Sequence, residues 1–182
     1  MKKKHLFTST LINSAFIVLI IIMNSANAFS QSWKSDYDFV GKFNENLAKV
    51  KSDEKWGFVD KQGDIVVPLE YEAVGDFKNG AAKVKLNNKF GFVDRTGKKI
   101  VRIEYDDVYD FKEGLARVKN NNKFGFVDKT GKVVIPLNYD FANDFNGGMA
   151  KVRLKDEEMY IDKDGDQLEV EDGDWYDEEE EW

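Results

Sequence analysis

The sequence predicts an all-β chain made of four stacked copies of one antiparallel unit, and three observations predict it. A short motif returns at a fixed interval of 34 residues: Trp56-Gly57-Phe58-Val59-Asp60, Phe90-Gly91-Phe92-Val93-Asp94 and Phe124-Gly125-Phe126-Val127-Asp128, fading at Tyr160-Ile161-Asp162. Whole columns keep the same step, among them Tyr37, Tyr71, Tyr105 and Tyr139; Phe43, Phe77, Phe111 and Phe145; and Val50, Val84, Val118 and Val152. Ahead of each motif, small or apolar residues alternate with cations, as in Ala81-Ala82-Lys83-Val84-Lys85-Leu86, the period-2 signature of a strand. A fixed period of this length marks units that bury their apolar faces by stacking on their neighbours.

Taken in order, each unit opens with that alternating strand, at 47–51, 81–86, 115–119 and 149–154. A short polar stretch such as Asn87-Asn88 leads into a second strand rich in aromatic and β-branched residues, 89–94 in the second unit. This strand ends in Asp-x-x-Gly (Asp60/Gly63, Asp94/Gly97, Asp128/Gly131, Asp162/Gly165), which fits a type I turn with Asp first and Gly fourth. A third strand follows, Ile65-Val66-Val67 or Val133-Val134-Ile135, closed by Pro68 or Pro136 in two units. The segment from Tyr71 to Gly80 and its equivalents returns the chain to the next unit. The expectation is therefore four three-stranded units, 37–70, 71–104, 105–138 and 139–172, stacked as an open solenoid-like array, with a small four-bladed propeller as the alternative. Gly57, Gly91 and Gly125 are read as points of close approach. Trp56 is read as a core residue, and Glu158-Met159 as the mark of a polar terminal cap.

Lys55-Trp56-Gly57-Phe58-Val59-Asp60, with Gly63 and the Phe-x-x-Gly-x-Ala-x-Val pattern further on, resembles the WG (or KWG) repeat. The resemblance covers residues 37–172, although Phe90 and Phe124 replace the Trp and the fourth unit lacks the aromatic-Gly pair. It implies a β-rich repeat module of bacterial proteins, often exported, with no shared catalytic activity and no active-site residues to carry over.

The two ends differ from the array. Met1-Lys2-Lys3-Lys4-His5 is a basic start, residues 15–23 are uninterrupted and apolar, and Ala26-Asn27-Ala28 has the small-x-small form of a cleavage site. Residues 1–28 therefore read as a secretory signal peptide, 29–36 as a short leader, and the product as periplasmic or secreted with no membrane span in the mature chain. Removing them removes His5, the single His, and the chain has no Cys. Cys and His nucleophiles, the usual zinc ligands and Ser-His-Asp triads go with them, so no cofactor or metal is expected and the chain is read as non-enzymatic. Asp162, Asp164 and Asp166 sit at calcium-loop spacing, but no Gly follows Asp166, and Asp162 with Gly165 is the ordinary repeat turn.

Charge singles out two candidate surfaces. Lys49, Lys83, Arg117 and Lys151 form one column of the first strand, with Lys51, Lys85, Lys119 and Arg153 two residues on, which reads as an outward cationic stripe. Residues 29–168 are close to neutral, whereas 169–182 hold nine carboxylates and no cation, among them the acidic tail 173–182 with its aromatics Trp175, Tyr176 and Trp182. Aromatic anchors among carboxylates suit docking onto a basic surface, either the chain's own stripe or a cationic partner. The reading reached from sequence is an exported, non-catalytic module that binds another protein. Its alternatives are an inhibitor or immunity protein against a basic secreted toxin or wall hydrolase, and an envelope-glycan binder. Nucleic acid does not fit an exported acidic chain.

Overall fold

The computed structural model describes residues 32–169. After one 3₁₀ turn, Ser32–Asp36, they form sixteen strands in four antiparallel sheets of four. The first sheet runs β1 (Phe39–Asn44), β2 (Leu47–Ser52), β3 (Lys55–Val59), β4 (Ile65–Tyr71). The second is β5 (Ala73–Val74), β6 (Ala81–Leu86), β7 (Lys89–Asp94), β8 (Lys99–Tyr105). The third is β9 (Asp107–Val108), β10 (Leu115–Asn120), β11 (Lys123–Asp128), β12 (Val133–Tyr139). The fourth is β13 (Phe141–Ala142), β14 (Ala150–Leu154), β15 (Glu157–Ile161), β16 (Gln167–Leu168). The all-β repeat array is as the sequence predicts, and it does not close into a barrel. Each sheet has one strand more than the three expected, because the return segment pairs briefly, as at Ala73↔Lys85 and Val74↔Val84. Two paired residues are too few to leave an alternation in the sequence.

The turns follow from their residues. In the second and third sheets the second and third strands are joined by two-residue hairpins whose central residues lie at positive φ, Asn87 (51°) and Asn88 (61°) or Asn121 (49°) and Asn122 (61°). Asn tolerates that region better than other non-glycine residues, and this turn matches the twist of the flanking strands. The Asp-x-x-Gly turn closes as read: Gly97 N–H donates to the Asp94 carbonyl at 3.0 Å, and the Asp94 carboxylate accepts from the N–H groups of Thr96 (2.8 Å) and Lys98 (3.0 Å). Asp162 does the same for Asp164 and Asp166, so its carboxylate serves the repeat turn.

Stacking creates the core. Phe58, Val67, Phe77, Ala82, Val84 and Val93 share one buried cluster between the first two sheets. Phe92, Val101, Phe111, Ala116, Val118 and Val127 repeat it between the second and third, and Phe126, Ile135, Phe145, Val152 and Ile161 between the third and fourth. Each inner sheet is thus covered on both faces. At the N-terminal end Ala48, Val50 and Val59 have no preceding sheet, and Trp33, Tyr37, Val40 and Leu69 cover them instead. Trp33 lies against Gly63 as the Val66 carbonyl lies against Gly97, so the 3₁₀ turn takes the place of a missing repeat.

The motif glycines answer to the third strand. A Cβ at Gly57 would come 2.5 Å from the Val67 carbonyl oxygen, and at Gly91 and Gly125 2.6 Å from those of Val101 and Ile135. In the last sheet Met159 stands at the glycine position and packs, partly buried, against the last core cluster.

Candidate interaction surfaces

The column cations lie in the seams between sheets. Across the hairpins Lys49 stands opposite Phe58 and Lys51 opposite Trp56, so the cations share the face that meets the next sheet. Lys49 Nζ reaches Asp76 of that sheet at 2.9 Å, and Arg117 Nε lies 3.2 Å from Asp144 at the same spacing. Arg117 Nη1 also donates to the Ala142 carbonyl. Lys83 turns to Asp107 at 2.5 Å, while Asp110, in the column of Asp76 and Asp144, takes Lys78 at 2.7 Å. Lys151, in the last sheet, pairs with Glu158 across its own hairpin at 2.8 Å. Lys49, Lys83 and Arg117 therefore tie one sheet to the next, and the outward stripe expected of them is a ladder of ion pairs. The reason is architectural: alternation along these strands separates two buried faces, whereas a half-buried strand would separate core from water.

Aromatic rings line the same ladder at the hairpin end of the sheets. Arg117 Cζ lies 3.9 Å from the Tyr109 ring centroid, Lys83 Nζ 4.4 Å from that of Phe90, and Lys119 Nζ 5.4 Å from that of Phe124. Trp56, Phe90 and Phe124 are half-buried here, packed against the margins of the buried clusters and not within them, so the core position expected of Trp56 is corrected as well. At the two ends of this rim Phe39 (44% exposed) and Phe141 (36%) stand open. Phe39 meets Trp56 edge-on at 5.5 Å, and Phe141 meets Phe124 at 6.5 Å.

Four carboxylates that take cations on this scaffold, Asp106, Glu113, Asp140 and Glu158, are held ionised. The hydrogen bond from Lys89 to Asp106, supported by the Asn121 N–H, lowers that carboxyl's proton affinity, and Lys123 with the Lys155 N–H does the same to Asp140. Glu113 is lowered by Lys163, and Glu158 by Lys151. Such groups are set to hold structure, since a general acid at neutral pH needs a carboxyl pushed upward. Among the described residues no cluster of His, Cys, Asp or Glu is arranged to hold a metal, and no helix is long and apolar enough to cross a membrane.

A third surface is the free edge of β8. In the third strand of the units one position reads Pro68, Arg102, Pro136. All three strands pair in the same register, Phe58↔Val67, Phe92↔Val101 and Phe126↔Ile135, so the ladder does not draw on the amide that proline lacks. At Arg102 that amide remains. A groove of about 480 Å³ runs beside it, between β8 and the turn around Gly131. The alternation of Pro, Arg and Pro was the readable signal for this site. Ala26, Ala28, Trp175, Tyr176 and Trp182 lie outside the described residues.

A family model for the WG containing repeat matches residues 34–56, 56–90, 90–124 and 124–157. The chain belongs to the WG repeat family. Its repeat is a structural module and not an enzyme signature. No curated protein matches the chain. Among solved structures, Kluyveromyces lactis Hsv2 with its complete loop 6CD is similar at 16% identity and a TM-score of 0.45, over 74% of this chain and 50% of that one. The form of that protein whose loop 6CD is replaced by a Gly-Ser linker gives 15% and 0.41, over 72% and 52%. This WG chain thus spans about half the length of the Hsv2 chains it matches. A Cicer arietinum lectin with two metal-binding sites gives 12% and 0.29, over 74% of this chain and 92% of that one. Likenesses this distant assign neither ligand nor activity. Within the WG motif the structure separates the parts: Gly makes room for the third strand, the following Phe fills the seam, and the leading aromatic lines the rim.

Proposed function

We propose that this WG repeat chain is an exported, non-catalytic array that binds another macromolecule, and that the ligand is a protein. The observation that supports the reading best is the rim of half-exposed rings and cations, open at Phe39 and Phe141. Aromatic and arginine side chains on a rigid frame are what interface hot spots are made of. The stacked sheets fix their spacing, so little ordering entropy is lost on binding. A finer form makes the chain an inhibitor of a basic secreted protein, held through the acidic residues 169–182.

The exposed rings of Phe39 and Phe141 favour one second reading, stacking on an envelope glycan. Salt separates the two, because attraction between opposite charges weakens with ionic strength and stacking on a neutral sugar does not. The test is affinity capture with residues 29–182 from envelope and culture-supernatant extracts, beside a Phe39→Ser/Phe141→Ser variant. One near-stoichiometric protein lost with the variant supports the reading. Retention of cell-wall polysaccharide alone would transfer it to glycan, and substrate turnover by the purified chain would overturn its non-catalytic part.

A further inference from the structure

A seven-residue strand with a free edge invites pairing with other chains, and proteins guard such edges with proline, charge or cover. β4 and β12 carry Pro68 and Pro136; β8 carries Arg102, which is exposed and keeps its amide. Beside it lie Lys99, bound to Glu70 at 3.3 Å, and Lys132 across the groove. Arg102 and Lys132 make no ion pair with another described residue. The groove floor includes Ile100 and Val133, the latter 42% exposed. Glu104 lines the same groove, so its charged residues are three cations to one carboxylate, and among the described residues this edge is open, cationic on balance and partly apolar.

We propose that this edge is covered by the chain's own acidic segment, residues 170–182, laid along β8 as an added strand. Three observations point to that occupant. The segment is proline-free and holds eight carboxylates with no cation, the complement of Arg102, Lys132 and Lys99. The described chain ends at Glu169 just after β16, which is the fourth strand of its sheet as β8 is of its own, so the segment leaves from the side of the stack where the edge lies. It is also long enough. Thirteen residues extend to about 45 Å. Two sheet spacings take roughly 20 Å of that, which leaves about seven residues, the length of β8. Backbone pairing supplies affinity and the charges supply register, as in other strand additions. Pro68 and Pro136 deny the segment the equivalent edges of the neighbouring sheets.

The test is limited proteolysis of the intact chain with a Glu-specific protease, following cleavage at Glu178–Glu181. Covered, these bonds are cut slowly. Arg102→Pro removes amide and charge together at a position where proline already stands in two sister repeats, and Arg102→Glu reverses the charge while keeping the amide. Both should speed cleavage by about fivefold or more, because a docked segment is cut only when it opens. Raising salt to about 0.5 M should speed the parent chain towards the variants. Equal rates in all three proteins at low salt would overturn the proposal. So would a rate that falls as protein concentration rises, which would place the segment on a second copy. Neither result bears on whether a partner is captured through the rim.

Discussion

Arg117 lies over Tyr109, its guanidinium carbon 3.9 Å from the ring centroid, while Nη1 donates to the Ala142 carbonyl of the next sheet. With a side chain only 14% exposed, it joins the third and fourth units at one point, through Tyr109 and its own strand on one side and Ala142 and Asp144 on the other. Replacing it by Met keeps the packing stem and removes the donor and the charge, leaving the Ala142 carbonyl and Asp144 without it. Arg117→Met should cost about 1–3 kcal/mol, read as a lower urea midpoint with unchanged slope. Were the column a free ligand stripe, stability would stay the same.

Gly91 tests the motif itself. A methyl group there would meet the Val101 carbonyl at 2.6 Å and the Arg102 carbonyl at 2.7 Å, both backbone atoms that a rotamer change cannot move. Gly91→Ala should therefore destabilise by about 3 kcal/mol. Met159→Ala at the same position of the last sheet, where the side chain is only partly buried, should cost less. Thermal melts of the two variants compare them directly, and equal losses would contradict the role given to the third strand.

Acid should weaken the array through its turns and caps. The Asp128 carboxyl is held below its ordinary value of 3.8, first by the Thr130 hydroxyl and then by the Thr130 and Lys132 N–H groups. Asp106 and Asp140 are also lowered from 3.8, and Glu113 and Glu158 from 4.5. A carboxyl whose folded value is depressed contributes stability that is present above its unfolded value and lost as pH falls through the folded one. The melting temperature should stay level from neutral pH to about 5 and fall below about 4. Asp128→Asn should lower it at neutral pH and make the acid fall shallower. A flat profile down to pH 3 would contradict these assignments.

Much of this was legible because each repeat writes the same physics again. One Asp-x-x-Gly is a weak turn signal, but four at one spacing fix four turns, and the hydrogen bond from Gly97 to Asp94 is the one that type requires. Period 2 at 81–86 marked a strand correctly, yet it could not say what faced each side. Lys83 and Lys85 were read as solvent-facing because cations usually are. In a stack the second face meets another sheet, and the cations survive there by pairing with Asp107 and Glu72. Trp56 was misplaced for the converse reason: an aromatic column suggests a core, and at a seam's rim it is half-exposed beside Lys51. Phe43 shares the Phe77 column but is 38% exposed, since no sheet precedes it. The open edge of β8 was written in a single departure, Arg102 between Pro68 and Pro136.

The seams carry the account, and the pair of Phe92 with Phe111 in the middle one tests it most directly. Their ring centroids are 5.1 Å apart across the second and third sheets, matching Phe58 with Phe77 at 4.7 Å and Phe126 with Phe145 at 4.8 Å. A double-mutant cycle with Phe92→Ala and Phe111→Ala, measured by urea unfolding, should give about 3–5 kcal/mol for each single change. The coupling should be about 0.5–1.5 kcal/mol. Two full single losses that simply add, with no coupling, would mean that the rings do not meet and that the sheets are not stacked in this order.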